Sequence, residues 1–228
     1  MKLFVIEGLD GAGKSTQIKL LKDFFSDQGY NCEYLHFPRT EAPFFGELIA
    51  RFLRGEFGTI NDVDPYLVAM LYAGDRKDAS ELISGWLKKR SIVILDRYAY
   101  SNIAYQCAKL PDAAKKEELK NWILKLEFDH FGIPEPDLNI FLDVPFAFTE
   151  TKLTARRIGD DRNYLNGGDD IHESNLSFQR KVREMYLKVA ETDSRLVVVN
   201  CKSDKDYMLP PADIFRKIIE IIKTRNLV

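Results

Sequence analysis

The apolar run "KLFVI" at residues 2–6 leads directly into "EGLDGAGKST" at 7–16, and this junction restricts the fold more than any other stretch of the chain. Gly8, Leu9, Asp10, Gly11, Ala12, Gly13, Lys14 and Ser15 match G-x-x-x-x-G-K-[ST], a turn whose backbone N–H groups point inward around an anion. A side chain on Gly8, Gly11 or Gly13 would block that wrap. Lys14 then reaches the β- and γ-phosphate oxygens, the Ser15 hydroxyl ligates Mg²⁺, and the helix beginning here turns its positive end toward the same charge. Residues Gly8 to Thr16 are thereby assigned to the phosphate donor. The helical pattern "TQIKLLKDFF" follows, so a strand and a helix flank the loop as the motif requires. A glycine-rich turn without a ligand is the plain alternative, and both flanks argue against it.

With 228 residues and 45% hydrophobic content, the chain suits one well-buried domain, 1–228. Lys and Arg number 33 against 35 Asp and Glu, a net charge of −2, so no global basic surface points to nucleic acid. Phosphate binding must come from locally clustered Arg and Lys. Cys32, Cys107 and Cys201 lie far apart, without metal-ligand spacing and in odd number, which favours a reducing, cytoplasmic setting over a disulfide framework. No leader precedes the first strand, and no run is long enough to span a bilayer, so a soluble protein with no membrane partner is expected.

Short apolar runs at 3–6, 91–96, 138–144 and 195–200, with a weaker one at 31–37, read as buried parallel strands. Helical patterns lie between them at about 15–24, 44–54, 64–89, 100–109, 114–130, 146–157, 172–192 and 211–224. Strand alternating with helix predicts a doubly wound α/β fold with ligands beyond the carboxyl ends of the strands. The stretches 54–64 and 156–170 read as mobile, and the arginines of the second make it a lid over phosphate. The charged segment 109–131 reads as a solvated cover on the sheet.

Which class of phosphate-loop protein this is depends on the later motifs. A GTPase needs a Gly two residues past its magnesium-binding Asp and an N-K-x-D guanine reader; "DRYAY" lacks the Gly, and "NCKSD" at 200–204 has the wrong spacing. Size and the absence of a carboxylate pair after the second strand disfavour an oligomeric ATPase. Instead, "SIVIL" runs into "DRYAYSNIAYQ", an acidic and a basic residue at a strand's carboxyl tip. Asp96 there can position Mg²⁺ and its water, and Arg97 can clamp a second phosphate facing the first. An Asp–Arg pair that merely closes a strand is the alternative.

At these residues the chain resembles the thymidylate kinase family. "FVIEGLDGAGKSTQ", "FPR", "LYAGDR", "DRYAYSNIAYQ", "PDLNIFLDVP" and "FQRKVREMY" occur in the family's order and spacing. The resemblance implies a P-loop nucleoside-monophosphate-kinase fold with a five-stranded, mostly parallel sheet, a mobile lid, and transfer of the γ-phosphoryl of ATP to dTMP with Mg²⁺. It also implies a homodimer. Within one domain it sets the P-loop at 8–15, an acceptor-binding region at about 37–76 and a lid at about 156–170. Residue by residue, Asp10 would face the acceptor's 3′-hydroxyl, and Arg39 and Arg97 would hold the dTMP phosphate. Phe37 precedes Arg39 in "FPR" and belongs to the same site. Tyr72 would stack on thymine and Arg76 would bond its O4, with Ser101, Tyr105 and Gln106 lining the sugar and base. Tyr105 would crowd the 2′ carbon and exclude a ribose.

Two departures from the family stand out. Tyr72 occupies a position where many members carry Phe, and Gly11 one where a branch of the family places a catalytic Arg. That charge must come from elsewhere. Arg156 matches the position beside adenine, leaving Arg157 and Arg162 for the transferring phosphate; alternatively, all three pair with Asp160, Asp161, Asp169 and Asp170 at the surface. A deoxynucleoside kinase, or a module that binds nucleotide without transferring phosphate, are the competing functions.

Overall fold

The structure, a computed structural model, describes residues 2–154, 164–165, 170–173 and 175–227. All five apolar runs are strands: β1 (Lys2–Glu7), β2 (Cys32–His36), β3 (Ile92–Asp96), β4 (Leu138–Asp143) and β5 (Leu196–Asn200). They form one sheet in the order β2-β3-β1-β4-β5, and every pairing is parallel. The three inner strands are mostly apolar because both of their faces are covered, with Glu7, Asp96 and Asp143 at their carboxyl ends. β2 lies at an edge and is half exposed, which is why its sequence is mixed. Register pairs Ile6 of β1 with Asp96 of β3. That alignment puts the start of the phosphate loop and the tip of β3 side by side.

Helices cover both faces. α1 (Lys14–Asp27) and α8 (Pro211–Thr224) close one face over Phe4, Ile6, Ile94 and Ile140. On the other lie α3 (Pro65–Lys88), α4 (Ala99–Cys107), α5 (Ala113–Leu124) and α7 (Leu176–Thr192). α2 (Phe45–Leu53) packs on α3 at the rim, and α6 (Phe146–Thr154) follows β4. Asp64 caps α3 by accepting from Tyr66 N at 2.8 Å, with Pro65 opening the helix.

The structure adds detail to several of these segments. The stretch 54–64 folds into turns that bury Ile60, with Thr59 N donating to Asp62 at 2.7 Å. The helix expected from 172 starts at Leu176, where Asn175 caps it by accepting from Phe178 N. The segment 109–131 is an amphipathic cover: α5 passes into a π-helical turn over Lys125–His130, its outer residues are exposed or half-exposed, and Leu119, Ile123 and Glu127 form a fully buried inner stripe. The lid arginines Arg156, Arg157 and Arg162 lie outside the described residues.

Candidate active site

The phosphate loop leaves β1 at Gly8 and enters α1 at Lys14. Gly11 (φ 75°) and Gly13 (φ 82°) adopt left-handed backbone, which favours glycine. A methyl at Gly8 would press on Ala12 and Lys14, and one at Gly11 would come within 2.7 Å of Lys152 Cβ on α6. Lys14 is buried; its Nζ donates to Leu9 O at 3.2 Å and lies 3.8 Å from Asp96 Oδ1. Burial lowers the Lys14 pKa, with Arg97 acting in the same sense. The ammonium is thus largely desolvated at the cavity wall, where an arriving phosphate would favour its charge.

At the tip of β3, burial pushes the Asp96 carboxyl up, but Lys14 and His36, whose Nδ1 is 3.4 Å away, outweigh it and keep the pKa below the ordinary value. Asp96 Oδ1 is buried without a hydrogen-bond partner. Arg97 follows in left-handed backbone (φ 67°), a conformation that costs energy in a non-glycine residue and is found at functional sites. Its guanidinium reaches Asp10 at 2.8 Å, Tyr105 OH at 3.2 Å and Ser101 Oγ at 3.2 Å.

One cavity of about 730 Å³ opens above these residues. Asp10, Gly11, Ala12, Gly13, Lys14 and Ser15 line its donor side, whereas Gly8, Leu9 and Thr16 stay out of it. Asp96, Arg97, Ser101, Tyr105 and Gln106 line it from β3 and α4. Phe37, Arg39, Tyr72 and Arg76 complete the far wall. Arg39 is fixed by Asp75, which accepts from its backbone N at 2.9 Å and its Nε at 2.8 Å, and by Asp78 at 2.7 Å. Tyr72 is half-buried, packed against the cluster of Ile49, Phe52, Leu53 and Val68, and it also lines the cavity. Arg76 is held by Glu127.

Sequence reasoning missed four residues here. Asn102 lines the cavity with Oδ1 buried and unpartnered. Asp170 and His172 also line it; Asp170 is buried, a correction to its reading as a surface acid, and burial pushes its carboxyl up to about 7. Glu127 carried a legible signal: Leu119, Ile123 and Glu127 recur every four residues, so a carboxylate continues the apolar stripe of α5. At the guanine-reader decoy, Asn200 Oδ1 accepts from Lys202 N and Lys202 pairs with Asp143, an ordinary turn.

The thymidylate kinase family model matches residues 6–208. The chain is 34% identical over 225 residues to a probable thymidylate kinase of Thermococcus kodakarensis, covering 96% of each. It is 31% identical over 217 residues to the thymidylate kinase of Mycobacterium tuberculosis, covering 93% of this chain and 99% of that one. The solved structure of thymidylate kinase from Candida albicans superposes with a TM-score of 0.72 at 27% identity, covering 99% of this chain and 92% of that one. Phosphate loop, β3 tip and full-length likeness agree, and the chain belongs to the thymidylate kinase family.

Proposed function

We propose that this cavity holds ATP and dTMP end to end, with the γ-phosphoryl passing between them. The activity is that of the family: an oxygen of the dTMP 5′-phosphate forms a bond to the γ-phosphorus, the bond from that phosphorus to the β–γ bridging oxygen breaks, and dTDP and ADP result. Gly8 to Ser15 cradle the donor phosphates and Lys14 follows the charge of the moving group. Arg97 and Arg39, both lining the cavity, hold the acceptor phosphate in line. Asp75 and Ser101 fix those two guanidiniums before substrate arrives, so little ordering remains to be done.

The orphaned Asp96 Oδ1 and the exposed Ser15 hydroxyl fit Mg²⁺, which is bound through one or two protein groups together with substrate phosphates. When bound, the ion would neutralise charge on the β- and γ-oxygens.

The observation that carries the acceptor reading is the edge facing the base. Asn102 Oδ1 is an acceptor without a partner, and Arg76 beside it is a donor. With Oδ1 opposite position 3 and Arg76 opposite position 4, thymine pairs through N3–H and O4, whereas cytosine sets a bare N3 against Oδ1 and an amino group against the guanidinium. The test is ADP release across a panel of acceptors: dTMP outpaces dCMP, dGMP and AMP, and thymidine is inert. Equal turnover of AMP and dTMP overturns the reading, and faster turnover of thymidine favours a deoxynucleoside kinase.

The domain reading follows: one domain, with P-loop 8–15, acceptor region 37–76 and lid 156–170. A homodimer is supported by α3, which exposes Leu67, Met70 and Leu82 along one side, next to exposed Phe44. The free thiols of Cys32, Cys107 and Cys201 suit a reducing cytoplasm.

A further inference from the structure

The base-reading edge depends on a carboxylate that is not itself part of the cavity wall. Glu127 lies in the π-helical turn Lys125–His130 and is fully buried. Its Oε2 accepts from Arg76 Nε at 2.5 Å, and its Oε1 from Arg76 Nη2 at 2.7 Å. The same Oε1 accepts from Asn102 Nδ2 at 2.9 Å. One carboxylate therefore orients both groups that meet the base. The second hydrogen of Asn102 Nδ2 goes to Ala69 O at 3.0 Å. Carbonyl and carboxylate oxygens can only accept, so the amide cannot turn over without setting Oδ1 against them. Oδ1, buried and unpartnered on a residue that lines the cavity, is thereby held away from both acceptors. Arg76 has spent Nε and Nη2 in a fork on the same carboxylate, which leaves Nη1 for the cavity.

We propose that Glu127 is a positioning residue for base selection: it holds Asn102 and Arg76 so that the site presents an acceptor beside a donor, admitting a pyrimidine with N3–H and O4 and rejecting one with a bare N3 and an amino group. The proposal rests on dTMP being the acceptor. Glu127 continues the buried Leu119–Ile123 stripe of α5 into the π-helical turn, a distortion that recurs at functional sites.

Glu127→Gln is the direct test. The new amide carries two hydrogens where the carboxylate had none, and they find an acceptor only if Asn102 turns Nδ2 into the cavity. The ratio of kcat/KM for dTMP to that for dCMP then falls at least about tenfold, the loss expected when a buried hydrogen-bonding group faces the wrong partner. KM for ATP stays unchanged. Ile123→Ala on the same stripe lowers Tm but keeps the ratio, separating selection from packing. If Glu127→Gln does not fold, Glu127→Asp serves instead, alone and combined with Asn102→Ala. Its effect on the ratio disappears in the Asn102→Ala background if Glu127 acts through Asn102. Equal losses toward dTMP and dCMP, or an unchanged ratio in a folded variant, overturn the proposal. A wild-type protein without preference for dTMP over dCMP overturns instead the acceptor reading beneath it.

Discussion

Glu7 accepts the hydroxyl of Ser101 at 2.5 Å, linking the last residue of β1 to the first turn of α4. Ser101 Oγ also accepts from Arg97 Nη1, so the strand that launches the phosphate loop holds the Arg97 guanidinium in place. The other Glu7 oxygen accepts from Tyr98 N at 2.9 Å and Ser101 N at 3.3 Å. α4 has no side-chain cap of its own. A carboxylate from a neighbouring strand takes that role and meets the positive end of the helix.

Replacing Glu7 by Gln removes the charge while keeping one acceptor for the two N–H groups. Stability falls by about 1–3 kcal/mol, which for a chain of this size corresponds to about 2–4 °C in Tm per kcal/mol. KM for dTMP rises because Arg97 loses its brace. Thermal unfolding and initial rates check this. An unchanged Tm together with an unchanged KM would show that Glu7 neither caps α4 nor supports Arg97.

Tyr105 is pinned more tightly than a steric gate requires. Its hydroxyl donates to Asp10 at 2.9 Å and accepts from Arg97, and its ring packs on His172 and Phe178 at 5.1 and 6.0 Å between centroids. Such a ring cannot step aside for a 2′-hydroxyl. The ribose analogue of dTMP is then the poorer substrate by about tenfold or more. Tyr105→Ala narrows the gap, whereas Tyr105→Phe keeps it because the ring remains. Equal use of both sugars by the wild-type protein removes Tyr105 as the gate.

Much of this architecture was legible because parallel strands buried on both faces are short apolar runs, and because "GLDGAGKS" and "DRY" are chemistry written locally in sequence. The unread part is chemistry between distant residues. Glu7 meets Ser101 94 residues away, and Arg76 meets Glu127 51 residues away. Neither partner's spacing in the chain announces the pair. Asn102 sits between Ser101 and Ile103 like any helical polar residue, and only its spent amide hydrogens reveal its role. Asp170 lies in a polar, glycine-bearing stretch, where burial is the last thing composition suggests.

That burial has a pH signature. Desolvation raises the Asp170 carboxyl from 3.8 to about 7, with Asp10 and Glu173 adding to it and the Tyr164 hydroxyl and His172 N opposing. The folded protein therefore keeps a proton that the unfolded chain has released. The resulting stabilisation is full below the unfolded pKa and is lost as pH rises through about 7. Within that window each pH unit removes up to about 1.4 kcal/mol. Asp170→Asn, uncharged at every pH, lacks this slope, so its stability relative to wild type improves from about pH 4 to about pH 8. Urea unfolding of both proteins across that range decides it. Parallel curves would mean that Asp170 is ionised in the fold throughout.

At Gly11 the phosphate loop lacks an arginine, and the structure shows why none fits: a Cβ there would lie 2.7 Å from Lys152 Cβ, on left-handed backbone. Phosphoryl transfer spreads negative charge over the equatorial oxygens, and an arginine reaching them is worth about 10³–10⁵ in rate. α6, which carries Lys152, leads toward "ARRIGDDR", so the expected source is Arg157 or Arg162 closing over ATP once both substrates are bound. Were these arginines only surface partners of Asp160, Asp161 and Asp169, each pair would contribute about 0–1 kcal/mol to stability and nothing to the reaction. Arg157→Ala or Arg162→Ala therefore lowers kcat by about 10³-fold or more while dTMP binding changes little. Single-turnover rates with saturating ATP, read beside dTMP titrations, separate the two effects. If both variants keep near wild-type kcat, the lid does not supply the charge, and it must enter from another part of the chain or from a partner subunit.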